Sequence, residues 1–210
     1  MKKIFFTAVV YFSCYAFVNA QFGITVGGNV SQYKYTSDRD PIFSWNAGLF
    51  YSITDKKSAL VVQPALLYSG KGATKNVDIG SNSDIEKYLN HINYLELSMP
   101  VILRIPVTDD GFLKADFGIG PYAGYLVSAT YTAVPYDGAK TTSNYKIGTS
   151  GTDDFKPFDA GLSFLIGYRM ANMGMNVQYD LGLANTNPRT NDSPLKMRAL
   201  MVNLLIYFGK

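Results

Sequence analysis

Leu113-Lys114-Ala115-Asp116-Phe117-Gly118-Ile119-Gly120-Pro121-Tyr122-Ala123-Gly124-Tyr125 decides the fold. Leu113, Ala115, Phe117, Ile119, Ala123 and Tyr125 occupy one row. Lys114, Asp116, Gly118, Gly120 and Gly124 occupy the other. A period of two places successive side chains on opposite faces, as only a strand does. The row opposite the apolar one is small or charged, which suits a narrow, polar interior. Its 13 residues exceed the 9–11 that a tilted strand needs to cross a bilayer.

Seven further segments repeat the pattern. The first, Phe22 to Tyr33, sets Phe22, Ile24, Val26 and Val30 against Thr25, Asn29 and Ser31. The second sets Trp45, Ala47, Leu49, Tyr51 and Ile53 against Ser44, Asn46 and Ser52. The third carries Leu60, Val62, Leu66 and Tyr68. The fourth sets Leu95, Leu97, Met99, Val101, Leu103 and Ile105 against Glu96, Ser98 and Arg104. After the quoted stretch come Phe158, Leu162, Phe164, Ile166 and Tyr168, then Met175, Val177, Tyr179, Leu181 and Leu183. The last has Leu200, Val202, Leu204, Ile206 and Phe208. Eight alternating segments predict an all-β, eight-stranded antiparallel up-and-down transmembrane β-barrel.

The connections alternate as well. Thr54 to Lys57, Thr108 to Gly111 and Ala171 to Gly174 read as tight turns, and Asp109-Asp110-Gly111 has hairpin chemistry. Lys34 to Ile42, Gly70 to His91, Thr130 to Lys156 and Asn185 to Pro194 read as longer loops. Short connections at one end and long at the other are those of an outer-membrane barrel, whose long loops are extracellular. Aromatic residues gather at both ends: Phe22, Tyr51, Phe112, Tyr168 and Phe208 toward the turns, Trp45, Tyr68, Tyr125 and Phe158 toward the loops. Two such belts fit two membrane interfaces. The competing architecture is a soluble lipocalin-like barrel with the apolar rows inside. Those rows hold more bulky side chains than an eight-stranded interior accommodates.

Composition narrows the function classes. Of 210 residues, 17% are charged, with 19 Lys plus Arg against 16 Asp plus Glu and a formal charge of +3. That balance argues against a nucleic-acid partner that works through phosphate contacts. Mean hydropathy is +0.01, unlike a polytopic helical membrane protein. One His and one Cys are too few for a His/Cys zinc site, and no cofactor is expected. Met1-Lys2-Lys3, the apolar run Ile4 to Val18 and the cut site Val18-Asn19-Ala20 form a secretory signal peptide over residues 1–20. A membrane helix or a lipoprotein anchored at Cys14 are the other readings. Residues 21–210 then form one barrel domain, exported to the bacterial outer membrane and without cysteine.

Charged residues in the polar rows are the candidate site. Glu96, Arg104, Lys114, Asp116, Asp159, Arg169 and Asp180 would face the lumen and pair across strands. Glu96 and Arg104 are expected to meet Lys114 and Asp116. A proton or ion path through the same residues is their functional alternative, and a narrow small-solute channel is the alternative to a non-enzymatic structural or interaction barrel for the whole chain. Ser83-Asp84-Ile85-Glu86 reads as a capping box opening a short loop helix to about Asn90. His91 follows it; an enzyme would need it beside a nucleophile that no spacing marks. Tyr131, Tyr136, Lys140, Tyr145 and Lys146 lie on the loop from Thr130 to Lys156, where aromatic and charged residues together suit a protein-binding surface.

Several motifs resemble the PorT-like outer-membrane β-barrel family of Bacteroidetes. Gly118-Ile119-Gly120-Pro121-Tyr122-Ala123-Gly124-Tyr125-Leu126 is similar to its G-x-G-P-Y-x-G-Y-L strand. Tyr94-Leu95-Glu96-Leu97, leading to Pro100 and Leu103-Arg104, resembles the strand before it, with the proline displaced by two residues. Phe158 to Leu162 with Gly167-Tyr168, and Tyr179 to Asn185, resemble the strands after it. The resemblance implies an eight-stranded outer-membrane barrel and no assigned chemistry. It implies lipid as one partner and envelope or secretion-machinery proteins as others, met through the extracellular loops.

Overall fold

A computed structural model describes residues 20–34, 39–54, 58–77, 84–189 and 193–209. The expected signal peptide, apart from Ala20, lies outside them. The strands are β1 (Ala20–Lys34), β2 (Arg39–Asp40), β3 (Ile42–Thr54), β4 (Leu60–Val62), β5 (Ala65–Asn76), β6 (Ile85–Ser98), β7 (Val101–Pro106), β8 (Leu113–Pro135), β9 (Thr141–Asn144), β10 (Phe158–Met170), β11 (Met173–Gly182) and β12 (Lys196–Phe208).

Eight staves account for eleven of these strands. β2 runs on into β3, β4 into β5 and β6 into β7; the other staves are single strands. The breaks in the third and fourth staves come at Pro64 and Pro100, which have no N–H to give the ladder. Neighbours bridge the gaps: Tyr51 donates to the Pro64 carbonyl at 2.9 Å and Gln63 to the Pro100 carbonyl at 3.0 Å. Each stave pairs antiparallel with the next. β1 then pairs with β12, from Phe22 opposite Phe208 to Lys34 opposite Lys196, and closes the barrel. Closure leaves the barrel wall without an open edge among the described residues, the condition for crossing lipid with strands.

The bulky rows point outward. Phe43, Leu97 and Phe158 are 72%, 58% and 65% exposed, and every stave adds more. A water-soluble monomer does not carry apolar surface on that scale, so the lipocalin-like alternative, which needs those rows inside, does not describe this chain. The aromatic belts stand where the alternation places them. Phe22 stacks on Phe208 at 6.1 Å near the turns. Trp45 meets Tyr68 at 5.4 Å and Tyr125 meets Phe158 at 5.2 Å near the loops. From Phe158 to Tyr168 along a tilted strand is roughly 25 Å of height, the thickness of the apolar band of such barrels.

Several staves run far past the loop-end belt, and here three boundaries change. The segment from Gly70 to His91 is mostly strand: β5 reaches Asn76 and β6 starts at Ile85. The described part of the capping-box segment, from Asp84, forms no helix. Its residues pair with β5 on one side and β8 on the other, which satisfies more backbone groups than one helical turn would. The loop from Thr130 is shorter than expected, because β8 continues to Pro135 and β9 folds back on it. A register shift at Asn93/Tyr94, against Leu126 and Ser128, marks where the lipid-facing row gives way to Ser128, Thr130 and Thr132.

Candidate functional site

Inside the barrel, alternation brings polar residues from different staves to one axis. Lys71 of β5 is the centre. Its Nζ lies 2.8 Å from Glu96 Oε2 and 3.5 Å from Asp180 Oδ2, and it sits 4.8 Å above the Tyr122 ring. Asp180 Oδ1 accepts from Ser163 Oγ at 2.6 Å and from Gln178 Nε2 at 2.9 Å. Tyr122 donates to Asp159 at 3.1 Å. All four charged residues are fully buried, and they come from five staves together with their hydrogen-bond partners. Gly161 leaves the room Tyr122 needs: a Cβ there would fall 2.7 Å from Cε1 of that ring.

Toward the turns lies a second charged layer. Arg104 reaches Asp116 through two bonds, Nε to Oδ1 at 2.7 Å and Nη2 to Oδ2 at 2.8 Å. The guanidinium of Arg169 stacks 3.9 Å from the Tyr207 ring and donates to the Ala171 carbonyl. The pairs differ from the sequence expectation in two ways. Glu96 turns to Lys71 on β5 rather than to Lys114, because its neighbours across β8 are glycine and apolar residues. Lys114 has Pro106 and Arg169 as its cross-strand neighbours, neither with a carboxylate, and it stays half-buried without an ion pair among the described residues. Lys71 itself is the residue that sequence reasoning missed.

Above the network the lumen is stoppered. Tyr33, Ile92, Tyr94, Leu126, Phe155 and Met197 form a buried apolar cluster, with Tyr145 packed against it. Below it, a cavity of about 30 Å³ between Thr25, Phe50, Gln63 and Leu165 has room for roughly one water.

Over the stopper opens a vestibule of about 450 Å³. Arg39 and Lys75 line one side; Tyr88, Asn90 and Tyr131 rise from β6 and β8; Asn144, Tyr145, Lys146 and Asp154 come from the end of β9 and the segment between β9 and β10. Tyr131 and Tyr145 meet at 5.0 Å, and Tyr145 closes on Phe155 at 5.0 Å. The Tyr145 hydroxyl donates to Asn90 Oδ1, and burial pushes its pKa up. Three of the five expected loop residues, Tyr131, Tyr145 and Lys146, thus line one cup. Tyr136 and Lys140 stand apart, exposed. His91 lies on the outward row of β6 above Asn93 and Leu95. Among the described residues no hydroxyl is hydrogen-bonded to it, and no group of His, Cys, Asp and Glu is arranged to hold a metal.

A family model described as "Outer membrane protein beta-barrel domain" matches residues 17–187. No curated protein matches the chain. Among solved structures, Ail, the attachment invasion locus protein of Yersinia pestis, is 11% identical with a TM-score of 0.44, over 91% of this chain and 100% of its own. Neisserial surface protein A is 8% identical with a TM-score of 0.44, over 90% and 97%. The N-terminal β-barrel domain of Pseudomonas aeruginosa OprF is 12% identical with a TM-score of 0.33, over 90% and 100%.

Proposed function

The chain belongs to the outer membrane protein β-barrel domain family, and from that premise we propose that it is a non-enzymatic barrel whose role is interaction at its loop end. The observation that carries this reading is the filled lumen. An apolar stopper, a four-charge network and an Arg–Asp layer succeed one another along the axis. Charges so paired across five staves fix register and resist rearrangement. A conduit would need a continuous wet path instead. The short turns then face the periplasm, the extended staves and β9 hairpin face outward, and lipid covers the apolar rows.

The PorT-like motifs, Gly118 to Leu126 above all, favour that branch of barrels, and envelope or secretion-machinery proteins are the partners this suggests. That step is analogy of sequence and fold. Conductance in planar phosphatidylcholine bilayers tests the reading. Purified barrel at 1 M KCl, a concentration chosen for sensitivity, is expected to give no steady current above the empty bilayer. Stable unitary steps that disappear on boiling the protein would overturn it.

A further inference from the structure

The vestibule has a composition that the filled lumen does not explain. None of its lining side chains is aliphatic: all are cationic, amide, carboxylate or tyrosine. Its volume, about 450 Å³, lies within the range of small-molecule sites. It has a floor, since Tyr145 and Tyr33 both pack on Phe155 of the stopper. It is a dead-end cup rather than the mouth of a passage.

Its charge is one-sided. Arg39, Lys75 and Lys146 contribute three cations from three separate segments, and none of them has an ion pair among the described residues. Arg39 instead lies 5.0 Å over the Tyr33 ring, which holds its guanidinium in place. The single carboxylate, Asp154, is committed elsewhere. It accepts the Lys146 backbone N–H at 2.9 Å and faces Arg189 at 3.7 Å. Tyrosine faces suit flat C–H surfaces, amides suit hydroxyls, and the cations call for phosphate or carboxylate oxygens.

We propose that this vestibule binds an anionic saccharide, with Lys75 and Lys146 holding the acidic group and Tyr88 and Tyr131 the ring. The proposal rests on the outer-membrane reading and names the ligand class of its loop end. The source is either a soluble sugar phosphate or the phosphorylated sugar of a membrane glycolipid.

The test is a titration of the full barrel in phosphatidylcholine nanodiscs, read by NMR chemical shifts, with glucose 6-phosphate, glucose and inorganic phosphate as probes. Glucose 6-phosphate is expected to bind about a hundredfold tighter than glucose, since it adds two charge-assisted bonds worth about tenfold each, and about tenfold tighter than inorganic phosphate, which lacks the ring that Tyr88 and Tyr131 hold. The double variant Lys75→Gln/Lys146→Gln removes both bonds and should lose about a hundredfold. Equal affinity for glucose and glucose 6-phosphate, or for inorganic phosphate and glucose 6-phosphate, or an unchanged double variant, overturns the site. Repeating the titration with lipid A in the disc identifies the source. Competition assigns the site to the glycolipid and its absence to the soluble sugar, and either supports the ligand class. Each sample is also run unboiled and boiled on a gel. Lost binding with the heat-dependent shift intact counts against the ligand alone, and a lost shift counts against the barrel.

Discussion

Lys71→Met tests whether the lumen is a cross-braced core. The lysine is fully buried, 2.8 Å from Glu96 and 3.5 Å from Asp180, with Asp159 in the same layer. At an effective dielectric near 20, unit charges at the shorter distance attract by about 6 kcal/mol. Desolvation offsets part of that, and removing one partner of a buried pair costs about 3–5 kcal/mol because the other charge stays behind. Here three carboxylates would share one layer of the lumen with no cation among them, so the upper part of that range is expected. Whole domains are stable by about 5–15 kcal/mol, and the loss would be plain. The assay is urea unfolding in phosphatidylcholine vesicles, followed by the fluorescence of Trp45, the sole tryptophan. Glu96→Gln removes one of the stranded charges, so the double variant should recover at least about 2 kcal/mol relative to the sum of the singles. A Lys71→Met barrel within about 0.5 kcal/mol of the parent, or strictly additive singles, would refute the reasoning.

Three further outcomes are expected. Arg104→Ala and Asp116→Ala should couple by about 2 kcal/mol in a double-mutant cycle, given their two-bond contact in the barrel; zero coupling removes them as a structural pair. Ala171 turns between β10 and β11 with φ 47°, a strained setting for a side chain, and Ala171→Gly should raise the urea midpoint by the equivalent of about 1 kcal/mol. Asp110, in the turn before β8, accepts from Thr108 Oγ1 at 2.5 Å and from the Phe112 N–H at 3.0 Å, and these bonds hold its carboxyl below the usual range. Its contribution is therefore present above the unfolded carboxyl pKa and is lost as pH falls through the folded value. Carbon-detected NMR titration of Asp110 should show a higher pKa in Thr108→Val, and an unchanged value would remove the hydroxyl as the cause.

The membrane decides how much of the fold is legible in the sequence. Between the aromatic belts one face must be apolar and the other polar or small, so the eight staves, their order and the inward charges are visible as alternation. Past the loop-end belt both faces meet water or loops, and the constraint lapses. Gly70-Lys71-Gly72 then looks like a flexible loop, although Lys71 is the most connected cation in the lumen. Its row is Ser69, Lys71 and Ala73, and the row facing away has no bulky apolar residue after Tyr68, only Gly70, Gly72, Thr74 and Asn76. The Ser83-to-Glu86 box misleads for a related reason. Capping chemistry is local and therefore visible there, while the ladders offered by β5 and β8 are not local. The vestibule joins Arg39, Lys75, Asn90 and Lys146 across four segments, and no spacing records that.

The most direct test of a lipid-embedded closed barrel is gel mobility of the isolated outer-membrane fraction, unboiled against boiled. A closed barrel whose apolar rows face lipid keeps its ladder in detergent until heated. The expected result is a band in that fraction that shifts on boiling. A band that runs identically in both lanes, or protein recovered only from the soluble periplasm, would contradict the barrel.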